Sequence, residues 1–173
     1  MNMAFRFLVV SLIAALPTSL VPDQAEAQTT DTSGQTYYNV ISANPFGILL
    51  EFFNAEYERV FTESTTIGIG GSYLSEDEDD YFNADVFWRF YMQDNPLEGW
   101  AFGAKIGVTN VRDEGTFLGI GFDLNRSWLM GRNDNFYIGA GFGLKRLFGT
   151  PDDADFDLTF IPTIRVVNVG VAF

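Results

Sequence analysis

From Phe82 to Met92 the chain alternates. Phe82, Ala84, Val86, Trp88, Phe90 and Met92 are apolar, while Asn83, Asp85 and Arg89 between them are polar, with Phe87 and Tyr91 on the same parity. A period of two sustained over this length predicts a strand with one apolar face. The pattern recurs downstream. Trp100, Phe102, Ala104, Ile106 and Val108 oppose Ala101, Gly103, Lys105, Gly107 and Thr109. Leu118, Ile120, Phe122, Leu124 and Trp128 oppose Gly119, Gly121, Asp123, Asn125 and Ser127. Phe136, Ile138, Ala140, Phe142 and Leu144 oppose Gly139, Gly141, Gly143 and Lys145. Phe53 to Phe61 and Thr65 to Leu74 follow suit. Arg59 and Arg126 fall on the apolar parity, each near a strand end where a long side chain can snorkel to an interface.

The second face is the informative one. A soluble β-sandwich keeps its large residues inside and its polar ones outside. Here the apolar face is mostly large, and the opposite face is mostly glycine, alanine, serine, asparagine and single charges. That is the inverted design of a transmembrane β-barrel, with large residues toward lipid and small or charged ones in a narrow lumen. The predicted strands are also long enough to cross a bilayer with tilt, which takes about 9–11 residues.

Connectors fall into two alternating classes. Thr62 to Thr65, Gln93 to Gly99 and Gly131 to Asn135 are short. Ser75 to Asp80, Arg112 to Gly115 and Thr150 to Asp157 are acidic. Counting back from Phe173 predicts strands near 158–173, 135–148, 116–129, 99–112, 81–92, 65–75 and 47–61. Termini on one side require an even number, and Tyr37 to Asn44 supplies the eighth, with Asn44-Pro45-Phe46-Gly47 as its turn. Glu51 sits on the lipid parity of its strand, so a bulge is expected beside it. A second bulge near Val166-Val167 reconciles Arg165 with the apolar Val167, Val169 and Val171. This topology sets Phe61, Phe90, Trp100, Trp128, Phe136 and Phe173 on the lipid face at one rim, an aromatic girdle at headgroup level.

Both ends of the chain carry export signals. Arg6 precedes the apolar run Phe7 to Leu16, Pro17 ends it, and Ala25-Glu26-Ala27 has the small-x-small cleavage pattern. Residues 1–27 thus read as a signal peptide, 28–36 as a polar periplasmic leader and 37–173 as the barrel. The apolar run is too short for a membrane-spanning helix. The sequence ends VVNVGVAF, and Val167, Val169, Val171 and the terminal Phe173 resemble the C-terminal sorting signature of bacterial outer-membrane barrels. With the strand pattern, the chain is similar to the small eight-stranded barrels of the OmpA transmembrane domain and OmpX-like type. The resemblance implies a Gram-negative outer-membrane location, assembly by the barrel-assembly machinery, and surroundings of outer-membrane lipid and lipopolysaccharide. The chain is read as monomeric. Its outer loops are shorter than those of OmpX-like adhesins, and it lacks the peptidoglycan-binding domain of full-length OmpA-type proteins.

Composition narrows the chemistry. There is no histidine and no cysteine among 173 residues. Ser-His and Asp-His mechanisms are excluded, as are the usual zinc, copper, nickel and haem sites. No catalytic residue and no cofactor is expected. The net charge of -13 argues against nucleic acid. Glycines in Ile67 to Gly71 and Gly139 to Gly143 alternate along strands and precede no helix, so they read as lumen space-makers and not as a phosphate loop. Parity sends Glu56, Glu58, Asp85, Arg89, Lys105, Asp123, Lys145 and Arg165 inward. These charges must pair in a poorly hydrated lumen, and Asp123 is expected between Lys105 and Lys145. The acidic loops offer Asp77, Asp79, Asp80, Asp152, Asp153 and Asp155 as candidate ligands for weak Ca²⁺ or Mg²⁺ binding. The leading expectation is a salt-bridged, plugged barrel with a structural or surface-interaction role. The alternative is a narrow, porin-like pore for ions or small solutes.

Overall fold

The computed structural model describes residues 37–46, 52–76, 79–111, 115–148 and 160–173. The signal peptide, its cleavage site, the leader and the bulge expected at Glu51 lie outside those residues. Among them, eight strands run in order: β1 (Asn39–Ala43), β2 (Phe52–Val60), β3 (Thr65–Glu76), β4 (Asp79–Tyr91), β5 (Gly99–Val111), β6 (Gly115–Met130), β7 (Phe136–Phe148) and β8 (Phe160–Ala172). Each pairs antiparallel with the next, and β8 returns to β1 to close a barrel.

Parity decides which residues face out. Along β5, Trp100, Phe102, Ile106 and Val108 are exposed while Ala101 and Thr109 are buried. Along β6, Leu118, Ile120, Phe122 and Leu124 are exposed while Asp123, Asn125 and Ser127 are buried. The exposed apolar side chains form a band around the barrel far larger than a soluble monomer presents to water. The interior is the polar side.

Three features differ from the sequence expectation or refine it. First, β1 is shorter than Tyr37 to Asn44. The strand ends at Asn44, whose N–H still donates to the Asn54 carbonyl at 2.8 Å while its side-chain oxygen accepts the Phe46 N–H at 2.9 Å, a local turn that competes with further strand pairing. At the other end Tyr37 packs against an interior cluster, and its hydroxyl donates to the Asn133 carbonyl at 2.5 Å. Second, Ser75 to Asp80 is not a free acidic connector. Ser75 pairs with Asp80 and Glu76 with Asp79, so the β3–β4 ladder continues nearly to its tip. Antiparallel neighbours in register satisfy backbone groups on each other as far as the chain stays extended. Third, the β7–β8 register slips between Gly139 and Gly141, pairing Gly139 with Asn168 but Gly141 with Arg165. β8 therefore carries one extra residue across Val166-Val167. The bulge lets Arg165 face inward below it while Val171 faces outward above it.

The closing seam is the shortest one. Val40 to Ala43 pair with Val169 to Ala172. Phe173 extends the seam, its N–H donating to the Asn39 carbonyl and its own carbonyl accepting from Asn39 N–H, both at 2.9 Å. Inside the barrel, Asn168 Nδ2 donates to Asn54 Oδ1 at 2.8 Å, tying β8 to β2 beyond the end of β1. Deleting Phe173 removes the last paired residue of this seam as well as the terminal aromatic. The expected outcome is slower assembly and a smaller heat-modifiable, folded fraction on gels. Unchanged mobility and membrane yield would count against that role.

Interior glycines make room for specific neighbours. A Cβ on Gly68 would stand 2.3 Å from Phe87 Cζ and 2.3 Å from the Tyr57 carbonyl oxygen. The Phe87 ring is itself held down by the Arg89 guanidinium, 4.0 Å above it. Gly68→Ala is therefore expected to destabilise the barrel by about 1–3 kcal/mol, read as a shift of the urea midpoint in micelles.

Candidate functional site

The eight interior charges come from six strands: β2, β4, β5, β6, β7 and β8. The bulge supplies Arg165, and strict alternation supplies the others. They form two groups. In the larger, Arg89 is the hub, with Nη1 2.6 Å from Glu58, Nη2 3.1 Å from Glu56 and Nε 3.8 Å from Asp123. Arg165 Nη2 also reaches Glu56, at 3.0 Å, and the Tyr137 hydroxyl, at 3.0 Å. Lys105 lies 3.3 Å from Asp123 and donates to Thr163 at 2.7 Å. Glu58 accepts two further bonds, from Thr66 at 2.5 Å and from the Tyr91 hydroxyl at 2.8 Å. Asn125 donates to Asp123 as well. Three carboxylates and three cations balance.

The smaller group is Lys145 with Asp85, 2.6 Å apart. The Lys145 ammonium also donates to Asn83 at 2.6 Å and Thr109 at 3.1 Å, which spends its three protons. Asn83 in turn donates to Asp85 at 2.7 Å and accepts from Thr109 at 2.9 Å. This corrects the expected pairing of Asp123 with Lys145. The Lys145 stem lies across Gly119 on β6, where a Cβ would meet Lys145 Cε at 2.5 Å. The glycine opens a path over β6 toward β4 and β5, so the ammonium passes Asp123 by.

Apolar side chains close in from both ends. Val40, Leu97, Tyr137 and Ala172 are buried together at the short-turn end, with Tyr37, Val60 and Leu129 against them. Leu97 belongs to the β4–β5 turn and is fully buried with φ of 74°, a backbone state that disfavours leucine. At the other end Phe117, Leu147 and Ile161 are buried, flanked by Tyr81 and Val111. The sequence reading missed both clusters. Their signal was large apolar residues on the small-residue parity near strand ends, as with Phe117, Tyr137 and Leu147. Leu97, in a turn, carries no such signal.

On the outer face, Phe61, Phe90, Trp100, Phe136 and Phe173 are exposed at the short-turn rim, and Trp128 is half-buried. The sorting residues lie on β8, with Val171 exposed and Val167 and Val169 half-covered. Arg146, which the sequence reading passed over, also faces outward, near Phe148 and Phe160. Of the candidate metal ligands, Asp77, Asp152, Asp153 and Asp155 lie outside the described residues, as do the side chains of Asp79 and Asp80. Among the described residues no group of three or more acidic side chains is placed to hold a metal ion.

The geometry defines a class: a closed eight-stranded antiparallel barrel, apolar outside and charge-paired inside, the architecture of the small outer-membrane barrels. No protein-family profile matches the sequence, and no curated protein sequence matches it. Among solved structures it is similar to the N-terminal β-barrel domain of Pseudomonas aeruginosa OprF, at 14% identity and a TM-score of 0.45. It is also similar to the Yersinia pestis outer membrane protein Ail in a phospholipid bilayer nanodisc, at 14% identity and a TM-score of 0.48. Each match covers 80% of this chain and 100% of the other.

Removing the hub tests the interior network. Arg89→Ala leaves Glu56 and Glu58 short of a buried cation, and the expected loss is about 3–5 kcal/mol. The outward Arg146→Ala should cost under about 1 kcal/mol. Urea unfolding in micelles gives both values, and equal losses would contradict a dry, paired interior.

Proposed function

We propose that this chain is a non-enzymatic barrel of a Gram-negative outer membrane, with a plugged lumen and a structural or surface-interaction role. The carrying observation is that every interior charge has an opposite partner and that apolar clusters lie at both ends of the network. Paired charges in a dry interior offer a permeating ion neither free ligands nor a hydrated path. The missing histidine supports the non-enzymatic reading, since no general base titrates near neutrality without strong perturbation. In this reading the short turns face the periplasm and the acidic loops face outward. The barrel stands alone among lipid and lipopolysaccharide after delivery by the assembly machinery.

A narrow pore is the second reading. Among the described residues, Arg89 Nε, Arg165 Nε and Arg165 Nη1 have no hydrogen-bond partner, which leaves interior donors for water to solvate. Planar-bilayer recording separates the two. Wild type is expected to show no unitary conductance. A steady wild-type conductance that changes in Asp123→Ala, together with a small stability loss in that variant, would favour the pore and overturn the plug.

A further inference from the structure

Arginine on the outside of a membrane barrel needs an explanation, because at the bilayer midplane it costs about 2–4 kcal/mol, falling to about 0–1 near the interfaces. Three described arginines lie on the outward parity: Arg59 on β2, Arg126 on β6 and Arg146 on β7. Among the described residues none forms an ion pair with a carboxylate. They differ in their surroundings. Among the described residues, no aromatic ring lies over the Arg59 guanidinium. Arg146 lies 5.5 Å from the Phe148 ring centroid and 5.8 Å from that of Phe160. Arg126 lies between two indoles, 5.2 Å from Trp100 and 5.1 Å from Trp128.

The strand register builds this bracket. Trp100 is the direct cross-strand partner of Arg126, and Trp128 stands two residues along on the same face. Trp100 is the second residue of β5, so the three sit at the short-turn rim, in the aromatic girdle. The contact is a cation–π one, with each indole presenting its ring face to the guanidinium carbon. It spends none of the in-plane N–H donors, which keep their fork geometry for a planar or tetrahedral oxyanion. The acidic side chains of the neighbouring turns do not compete for it. Glu98 accepts from Asn95 at 2.9 Å within its own turn, and Asp134 lies in the tight turn after Gly131. A cation bracketed by aromatic faces, with no carboxylate partner among the described residues and set in the aromatic girdle, fits one class of anion.

We propose that Trp100, Arg126 and Trp128 form a binding site for the phosphate of a glycerophospholipid in the leaflet at the short-turn rim. The guanidinium takes two phosphate oxygens, and the two indoles cover the glycerol and upper acyl carbons. Charge complementarity and position name the ligand: phosphate is the anion found at this depth in a bilayer. The site rests on the membrane-barrel reading of the fold.

Native mass spectrometry tests it on the full barrel, extracted from vesicles of phosphatidylglycerol and phosphatidylethanolamine. Wild type should retain one phospholipid, and Arg126→Gln should retain on the order of tenfold less. Arg126→Lys, a point charge without the fork, should fall between, while Arg59→Gln should match wild type. Equal retention by wild type and Arg126→Gln overturns the site. If Arg126→Gln does not fold, Arg126→Lys decides, and undiminished retention overturns it. Displacement of the lipid by inorganic phosphate alone would mean a free-anion site and also overturn it. The membrane reading fails separately: a wild-type barrel that does not insert into the vesicles sinks both, whereas insertion with equal retention sinks only the site.

Discussion

An eight-stranded ring encloses only enough space for side chains, so whatever enters it must be satisfied there. Arg89 shows how tightly that constraint binds. Its guanidinium faces Glu56 and Glu58 from β2 and Asp123 from β6, while Phe87 on its own strand supports it from below. None of this fits unless the opposing positions are glycine. A Cβ on Gly103 would collide with Asp123 Oδ1 and crowd Arg89 Cγ, and one on Gly68 would strike the Phe87 ring. The glycines and the charges are two halves of one packing solution. The small side chains are present because the large charged ones must cross the lumen to find partners.

Much of this was legible in the sequence, and the reason is geometric. In a strand the side-chain period is fixed at two, so parity alone sorts residues between lipid and lumen. Parity alone assigns Asp85, Arg89, Asp123 and Lys145 to the inward face, where the structure has them. Parity says nothing about how far a side chain reaches. Lysine and arginine span two strands or more, so partner choice depends on which intervening positions are empty. Lys145 reaches Asp85 over Gly119, a relation between β7, β6 and β4 that no local pattern encodes. The apolar end clusters were hidden for a related reason. Phe117 and Tyr137 break the small-residue rule only at strand ends, where alternation is weakest, and Leu97 turns inward from a connector.

The outer surface obeys the opposite rule, and its exceptions are informative for the same reason. A band of exposed Phe, Ile, Leu and Trp leaves no acid on that face to balance an arginine among the described residues. Arg126 and Arg146 are instead each flanked by one ring from their own strand and one from the adjacent strand, one toward each rim. The register that pairs Trp100 with Arg126 and Phe160 with Arg146 serves the exterior as the Arg89 contacts serve the interior. Inside, carboxylates reached across the lumen meet the needs of a charge; outside, aromatic faces on the same and the adjacent strand do so.

The division of the interior charges into two neutral groups bears on what the barrel can do. Among the described residues no ion pair joins the Lys145–Asp85 pair to the cluster around Arg89. Each group balances its own charge, so neither depends on the other to avoid an uncompensated ion. In the plugged-barrel reading proposed above, an ion crossing the lumen would have to disrupt both in succession and pass the apolar side chains at either end. Loosening one group leaves the other barrier intact. A barrel with a single central pair could open by exchanging one partner for another. Here Lys145 already donates to Asp85, Asn83 and Thr109, and Glu58 already accepts from Arg89, Thr66 and Tyr91. With the three ammonium protons of Lys145 spent and the Glu58 carboxylate held from three sides, neither residue is free to exchange its partner. That favours rigidity over conduction, and it places the surfaces open to interaction on the outside of the wall and at its rims.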